Sequence, residues 1–405
     1  MFVSAVLQDQ LEAMRSDRLR VLIAGAGVAG LTLAQLLRAE GLHPVLIERA
    51  SNHDDAGYML ALMPLVDAAF DRLGMQQTYR EHSVRFHRYR MHGHRGQLLR
   101  ESEIDTLLGK YGDYRGIARG DLMQVLATGS APVSYESTIQ AIRQEPESVY
   151  VTLQNNKTSL IGEFDAVILA DGLHSSSRAL LLRPDQITTY DTRWGGWVAW
   201  VDSDEAHADQ GDEIWGADFF VGIYPVKDRA GIIVAGNNAD TRRDPAAFVA
   251  KIRKQLRASD PWMERALDKI EVSVGLYYWR LVDCRSAAWA VDRVALLGDA
   301  AAGFLPTAGI GAAMAMESAT VLAHQLAAAN RSQVPGALRE YQGLQRPRVE
   351  SAQDNSRLLA KMMFRRGRAL AVARDMAGRL MTLKAALRPI IRLLESRPLA
   401  RRVEA

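Results

Sequence analysis

The feature that most constrains the fold is a short glycine cluster, GAGVAG, at Gly25–Gly30. The apolar run Val21–Ala24 precedes it, and the segment LTLAQLLRAEG that follows has helical spacing and ends at Gly41. The next segment, HPVLIERA, has the apolar pattern of a buried strand. Together these form a β-α-β unit, which predicts a doubly wound, mostly parallel sheet at the N-terminus.

Each glycine of this turn has its own steric role. Gly25 permits the tight turn, Gly27 lets the backbone approach a pyrophosphate, and Gly30 permits close packing of the helix on the strand. The helix N-terminus offers unpaired N–H groups and a favourable dipole to an anion. Glu48 ends the second strand, where a carboxylate accepts hydrogen bonds from ribose. We predict a bound adenine dinucleotide; the alternative is a tight strand–helix turn without a ligand.

A second glycine-rich stretch, GDAAAGFLPTAGIGAAMAME, lies at Gly298–Glu317. The apolar strand pattern at Asp292–Ala300 runs into this stretch. A further strand pattern, at Phe164–Gly172, also runs into a glycine turn. Asp299 stands where an acid accepts from a ribose-like diol or a ribityl chain; a helix N-cap is its alternative role. A long cofactor explains two loops, one for the AMP half of FAD and one for its flavin half.

Between the middle and late strand patterns the sequence changes character. The segments RWGGWVAWVD, FFVGIYPV and AGIIVAGN alternate and are rich in β-branched and aromatic residues, which predicts an antiparallel sheet. The pattern is helical from Pro335 onward. The predicted fold class is α/β: a Rossmann-like FAD-binding domain with a mostly parallel sheet, interrupted by a β-rich substrate domain and followed by C-terminal helices. The predicted boundaries are 1–18 for an N-terminal extension, 19–180 and 285–345 for the FAD-binding domain, with part of 75–115 near the substrate domain, 181–284 for the substrate domain, and 346–405 for the helical region.

Composition excludes several classes of protein. The chain has 405 residues, 48% of them hydrophobic, which is enough for a large core. No apolar run reaches the roughly 18 residues of a membrane-spanning helix. The first 20 residues, MFVSAVLQDQLEAMRSDRLR, carry Gln, Asp and Glu where a signal peptide needs a continuous apolar core, so we expect no export. Cys284 is the only cysteine, which excludes a disulfide and a cysteine metal site and favours a cytoplasmic location; we expect no metal and no nucleic acid partner.

Three stretches share their order and spacing with a known family. They are GAGVAG with Glu48 and Arg49, then ILADGLHSSSR with Asp171 and Arg178, and finally LLGDAAAGFLP followed by GIG. They resemble the motifs of the class A FAD-dependent monooxygenases, the p-hydroxybenzoate hydroxylase-like family, from about Arg20 to Arg357. The resemblance implies non-covalent FAD, bound by Gly25, Gly27, Val28, Ala29, Gly30, Glu48, Arg49, Arg119, Asp171, Asp299, Pro306, Gly309, Gly311 and Ala312. The sequence departs from the family pattern at Ala302, commonly His, and at Ile310, commonly Gln.

The resemblance also implies a reaction. NADH or NADPH reduces the flavin transiently, O2 adds at flavin C4a, and the hydroperoxide passes one oxygen to an aromatic or polycyclic apolar molecule by hydroxylation or epoxidation. No second GxGxxG motif exists, so we expect no separate nicotinamide domain. The predicted substrate contacts are Trp194, Trp197, Trp215, Phe220 and Tyr224. No catalytic residue stands out; the Pro306 region is expected near the flavin, and Tyr224 or Arg193 are candidates to ionise a phenol.

Other functions stay open at this point. WGGWVAW faintly resembles the Trp-rich motif of flavin-dependent halogenases, but the segment from Arg49 to Gln97 has no lysine where those enzymes need one. A geranylgeranyl-type reductase would reduce a double bond without O2. A FAD-binding protein without catalysis is the remaining alternative.

The C-terminal tail carries most of the positive charge. Residues 361–405 contain twelve Lys or Arg and three Asp or Glu, whereas the whole chain has a net charge of only +3. Apolar residues recur at helical spacing, and Pro389 is expected to kink or split the helix. Two interpretations remain open: an amphipathic cover on the FAD-binding domain, or a surface that also contacts an anionic membrane from the cytoplasmic side. The oligomeric state is predicted as monomer or homodimer.

Overall fold

The computed structural model describes residues 2–52, 57–156, 158–203, 205–258, 260–273, 276–380 and 382–398. The strands are β1 (Phe2–Ser4), β2 (Val21–Ala24), β3 (Val45–Ile47), β4 (Met59–Leu62), β5 (Val84–Arg85), β6 (Arg88–His92), β7 (Leu98–Glu103), β8 (Arg115–Ala118), β9 (Ala131–Val133), β10 (Ser137–Gln144), β11 (Val149–Asn155), β12 (Thr158–Phe164), β13 (Ala166–Leu169), β14 (Ile187–Asp202), β15 (Gln210–Trp215), β16 (Phe219–Val226), β17 (Arg229–Asn237), β18 (Tyr277–Ser286), β19 (Ala290–Val291) and β20 (Val294–Leu296). The α-helices are α1 (Leu7–Met14), α2 (Val28–Ala39), α3 (Asp67–Leu73), α4 (Gln76–Glu81), α5 (Asp105–Leu108), α6 (Arg119–Leu126), α7 (Asn238–Thr241), α8 (Pro245–Gln255), α9 (Pro261–Val272), α10 (Asp299–Ala302), α11 (Gly311–Ala327), α12 (Val334–Met363), α13 (Arg368–Leu380) and α14 (Leu383–Glu395).

A five-stranded sheet collects strands from distant parts of the chain. Its order is β19-β20-β13-β2-β3, and β20, β13, β2 and β3 run parallel. All four residues of β2 and of β13 are buried, because helices and loops cover both faces of the sheet. The predicted return of early, middle and late segments to one parallel sheet is therefore confirmed.

A larger sheet of seven strands lies beside it, in the order β18-β14-β17-β16-β15-β6-β7. The segments predicted to alternate form β14, β16 and β17, which pair antiparallel. Two strands, β6 and β7, come from residues 88–103, before the predicted insertion, and β6 pairs parallel with β15. One face of this sheet packs on α8 and α9, so its other face is available to the FAD-binding part. The predicted domain boundaries stay a prediction.

The two ends of the chain pack onto the FAD-binding part. Strand β1 pairs with β9, and Gln10 of α1 binds the backbone of Leu46 and the hydroxyl of Ser134. At the other end α14 continues through Pro389, so the helix is not split at this proline, and the kink expected as the alternative stays a prediction. The break precedes α14, whose N-terminus is capped by the hydroxyl of Thr382. Residues 399–405 of the predicted helical region lie outside the described residues.

Candidate functional site

The first glycine loop has the geometry that its sequence predicts. Gly25 has a φ of +108°, and a Cβ there would lie 2.4 Å from the carbonyl oxygen of Ala170. A Cβ on Gly30 would lie 1.9 Å from the carbonyl oxygen of Gly25, so α2 can begin this close to β2 only with glycine. Gly27 caps α2, and a Cβ there would meet no atom within 4 Å. The N-terminus of α2 therefore faces open space, as an anion site requires.

The late glycine loop lies directly against the first one. Gly298 has a φ of +61°, and a Cβ there would lie 2.7 Å from the Cβ of Ala29 at the start of α2. Asp299 begins α10, and a 3-10 turn at Pro306–Ala308 leads through Gly309, with a φ of +58°, to the start of α11. The two loops, 270 residues apart in sequence, thus form one continuous surface.

A single cavity of about 470 Å³ joins this surface to the seven-stranded sheet. Its lining is mostly apolar, with a few polar and charged side chains. From the two glycine loops it includes Gly27, Val28, Ala29, Asp299, Pro306, Gly309, Gly311 and Ala312. The sheet contributes Tyr89, Val198, Glu213, Trp215, Phe220 and Tyr224, and the last two helices contribute Gly378, Ala386, Leu387 and Ile390. The cavity therefore spans both predicted parts of the molecule.

Two charged residues predicted to bind the cofactor, Arg119 and Asp299, both line this cavity. Arg119 begins α6, and its backbone N–H donates to the carbonyl of Tyr58 at 3.0 Å. Asp299 lies near the same tyrosine, since burial, reinforced by the charge of Asp299 and opposed by that of Arg119, raises the pKa of Tyr58 to about 12. Burial raises the pKa of Asp299 itself to about 6. A buried carboxyl that gains donors from cofactor hydroxyls is stabilised as the anion, so this environment fits a ribityl chain.

The remaining predicted cofactor residues lie around the loops. Glu48 accepts a hydrogen bond from the backbone N–H of Ala26 at 2.9 Å, which places its carboxylate beside the first loop. Arg49 is exposed next to it. Asp171 is engaged within its own turn, where it accepts from the hydroxyl of Ser175 and the N–H of Ser177. A cofactor contact of Asp171 stays a prediction, because its observed role is to hold the turn.

The structure brings only some of the predicted substrate residues to the cavity. Trp215, Phe220 and Tyr224 line it. Trp194 stacks on Phe364 at 4.5 Å between ring centroids, behind the lining. Trp197 faces the other side of the sheet, where its indole N–H donates to the carbonyl of Thr241 at 2.9 Å.

The two residues considered for ionising a phenol, Arg193 and Tyr224, differ in their position relative to the cavity. Arg193 is exposed at a bulge of β14 and does not reach the cavity. Tyr224 does reach it, but burial, reinforced by the charge of Glu213, raises the pKa of Tyr224 well above its usual value. The raised pKa favours the protonated phenol of Tyr224, and a part for either residue in ionising a substrate phenol stays a prediction.

The main polar group on the sheet side of the cavity is Glu213, which the sequence did not predict. Glu213 accepts hydrogen bonds from the phenols of Tyr89 at 2.6 Å and Tyr224 at 2.7 Å, and from the indole of Trp215 at 2.8 Å. The alternation of β15 places Glu213 and Trp215 on one face, but the contribution of Tyr89 depends on a long-range strand pairing. Helices α13 and α14 were also not predicted to reach the cavity.

Comparison with known proteins agrees with this geometry. Residues 18–356 match the family described as FAD binding domain. A 3-amino-4-hydroxybenzoate 2-monooxygenase of Streptomyces platensis is 28% identical over 355 residues, covering 84% of this chain and 88% of the relative. The aurachin C monooxygenase/isomerase of Stigmatella aurantiaca is 27% identical over 350 residues, covering 83% and 86%.

A solved structure has the same fold. Klebsiella pneumoniae HpxO, crystallised with FAD and uric acid, matches with a TM-score of 0.82 at 21% identity, covering 94% of this chain and 98% of that one. Non-covalent FAD fits the paired glycine loops, the open helix N-terminus and the buried Asp299 described above. The chain therefore belongs to the FAD binding domain family, and its three motifs are those of a class A FAD-dependent aromatic monooxygenase.

Proposed function

We propose that this monooxygenase inserts one oxygen atom into a largely apolar aromatic molecule held between the late glycine loop and the seven-stranded sheet. The observation that carries the proposal is the single cavity that runs from the two cofactor loops to Trp215, Phe220 and Tyr224. A mostly apolar cavity with a few convergent polar groups is typical of a site for a small organic ligand.

Residues along the cavity are assigned to successive parts of the cofactor. The N-terminus of α2 holds the pyrophosphate, while Asp299 and Arg119 bind the middle of the cofactor. The loop from Pro306 to Gly311 supports the flavin ring beside the substrate. When bound and reduced by NADH or NADPH, FAD supplies the activation of O2. The apolar lining excludes water, which protects the reactive oxygen species from wasteful decay.

The relatives support an aromatic ring as the substrate. One relative is named for 3-amino-4-hydroxybenzoate and another for aurachin C, and the structure of HpxO holds uric acid. All three enzymes are flavin-family relatives of this chain at under 30% identity, so they indicate a class of molecule and no single compound. Their monooxygenase names favour oxygenation over halogenation or double-bond reduction.

A substrate panel tests the proposal. Phenols, quinolones and polycyclic ketones are added to the FAD-loaded enzyme, and ligand-stimulated NAD(P)H consumption is measured together with product mass. We expect at least one compound to accelerate consumption and to gain the mass of one oxygen atom. Incorporation of chloride or a gain of two hydrogens would contradict oxygenation, and NAD(P)H oxidation that no ligand stimulates would contradict the substrate class.

We further propose that the basic tail contacts an anionic membrane surface, from which an apolar substrate enters. The stripe of Val372, Met376 and Leu380 on α13 is exposed, at 44%, 64% and 84% of the residue surface. Exposed basic residues flank this stripe, among them Arg368 and Arg379. Each basic residue near an anionic surface contributes about 1 kcal/mol. Within the described residues, no helix combines the length and apolarity of a membrane span.

Vesicle sedimentation tests this contact. The full chain should sediment with vesicles that contain phosphatidylserine and remain in solution with neutral vesicles. Replacing Met376 and Leu380 by Glu should abolish sedimentation while the thermal midpoint and FAD content stay unchanged. If the double variant sediments like the wild type, α13 is not the contact. If the wild type instead forms a dimer that the double variant disrupts, the stripe is a subunit interface.

A further inference from the structure

One wall of the cavity is polar, and all its hydrogen bonds converge on one carboxylate. Glu213 accepts from Tyr89 and Trp215 through Oε2 and from Tyr224 through Oε1. All four side chains line the cavity. A carboxylate has about four acceptor positions, so three donors leave it nearly saturated. We call Glu213, Tyr89, Trp215 and Tyr224 the acceptor wall.

Three neighbouring strands build the acceptor wall. Glu213 and Trp215 are two residues apart on β15, so their side chains leave the same face of the sheet. Strand β6 brings Tyr89 through its parallel pairing with β15, and β16 brings Tyr224 through its antiparallel pairing. A Cβ on Gly222 would lie 2.8 Å from the ring of Tyr224, so this glycine provides the space in which the ring lies. The wall is thus part of a rigid sheet.

The direction of these hydrogen bonds determines what a ligand can meet. The single O–H of each phenol donates its hydrogen bond to Glu213. Tyr89 and Tyr224 therefore offer only oxygen lone pairs to a ligand in the cavity. Burial, reinforced by the charge of Glu213, raises the pKa of both phenols well above the usual value, and they keep their protons. A ligand with N–H or O–H groups satisfies such a surface, whereas an ether or ketone oxygen faces like partial charge and loses its own hydration.

We propose that Glu213 is a specificity-determining residue: by fixing the phenol protons of Tyr89 and Tyr224, it makes the wall select and orient a substrate through its hydrogen-bond donors. The inference rests on the proposed function, since it assumes that the substrate lies in this cavity. It assigns Glu213 no part in proton transfer, because the carboxylate acts through the tyrosines. The donor-bearing edge of the aromatic ring then faces the sheet, and the ring itself lies toward the late glycine loop.

Ligand binding to the oxidised FAD-loaded enzyme tests the inference without turnover. The probes are β-naphthol and its methyl ether, which share a ring system and differ in one donor, and binding is followed by the change in flavin absorbance. We expect the wild type to bind the naphthol about tenfold to hundredfold more tightly than the ether. The ether leaves buried polar groups unpaired, so the free energy of their desolvation is not offset by a hydrogen bond. This uncompensated desolvation is the source of the difference in affinity.

Glu213→Gln provides the decisive comparison. An amide has one acceptor oxygen and two N–H donors, so it must donate to one tyrosine, whose own proton then turns into the cavity. We expect the naphthol-to-ether preference to fall to about one or to reverse, with ether binding improved. Glu163→Gln makes the same chemical change on the exposed side of β12 and should keep the wild-type ratio. If Glu213 had only a structural role, Glu213→Gln would weaken the binding of both probes equally.

Two results would overturn the inference: equal binding of both probes by the wild type, or an unchanged ratio in Glu213→Gln. If Glu213→Gln fails to retain FAD, Tyr224→Phe replaces it, because this variant keeps the ring and removes one acceptor oxygen; its ratio should fall about threefold to tenfold. Failure of the proposed function is distinguishable. An enzyme that discriminates between the probes and yet oxygenates no compound of the panel retains the acceptor wall and loses the proposed reaction.

Discussion

At the scale of single residues, two glycines of the first loop have different functions. A Cβ on Gly30 would lie 1.9 Å from a backbone oxygen, whereas a Cβ on Gly27 would meet no atom within 4 Å. We predict that Gly30→Ala destabilises the protein by about 3 kcal/mol or more, because backbone must move. Gly27→Ala should change stability by under about 0.5 kcal/mol but weaken FAD binding, because its methyl group faces the cofactor. Thermal unfolding and FAD titration of both variants measure the difference; equal stability of the two would contradict the loop geometry.

Asp299 gives a second prediction at this scale, with opposite signs for stability and binding. The pKa of its carboxyl is raised from 3.8 to about 6 in the folded protein without FAD. Its ionisation therefore costs stability, and this cost appears as the pH rises through that range. Well above pH 6, Asp299→Asn should stabilise the FAD-free protein by about 1 to 3 kcal/mol. The same variant should bind FAD about tenfold to hundredfold more weakly, since a charge-assisted hydrogen bond is lost.

Unfolding of the FAD-free proteins at several pH values and FAD titrations check both parts. The stabilising effect of Asp299→Asn should vanish as the pH falls below 4, where the wild-type carboxyl is protonated in both states. Gly298, and not Asp299, is the N-cap residue of α10, so a variant that is less stable at every pH and binds FAD as tightly as the wild type would show that Asp299 stabilises the first turn of α10 and is no cofactor ligand.

At the scale of elements, α14 supports the core, whereas the stripe on α13 does not. Ile390, Leu393 and Leu394 of α14 are buried, and Arg348 of α12 donates to the carbonyl of Leu393 while it pairs with Glu317. The amphipathic cover inferred from the sequence is thus an accurate description of α14. The exposed residues of α13 are not needed for this packing.

Two leucines separate these roles. Leu394 is 4% exposed and Leu380 is 84% exposed. We predict that Leu394→Ala lowers the free energy of unfolding by about 2 to 4 kcal/mol, because it leaves a cavity under α14. Leu380→Ala should change it by under about 0.5 kcal/mol. Denaturant unfolding measures both, and a comparable loss in the two variants would mean that α13 is also buried in solution.

The strands also show why the residues on the sheet side of the cavity were harder to predict than those of the cofactor loops. Side chains alternate along β14, so Trp197 faces α9 while Val198 lines the cavity. The sequence displays this alternation, but it does not tell which face meets the cofactor. Aromatic size favoured the tryptophans over the valine, and this was the wrong criterion for Trp197.

At the scale of the whole molecule, local motifs identify the cofactor loops, whereas the acceptor wall depends on long-range strand pairing. The role of Gly30 follows from its contact with Gly25, which lies in the same motif, and although Gly25 itself packs against the distant Ala170, the motifs made the FAD-binding fold predictable. The acceptor wall needs β6, from residues 88–92, beside β15, more than 100 residues later. No local pattern encodes that register, so Glu213 had no signal in the sequence beyond an acidic residue in a strand.

The central claim is that one cavity holds FAD and an aromatic substrate together for oxygenation. The most direct measurement uses the FAD-loaded enzyme, NAD(P)H, an accelerating compound from the panel and O2 labelled with heavy oxygen. We predict that the product carries one heavy oxygen atom per molecule and that Gly27→Ala lowers its yield in proportion to lost FAD. Product oxygen that comes from water, or a product formed equally by enzyme freed of FAD, would contradict the account.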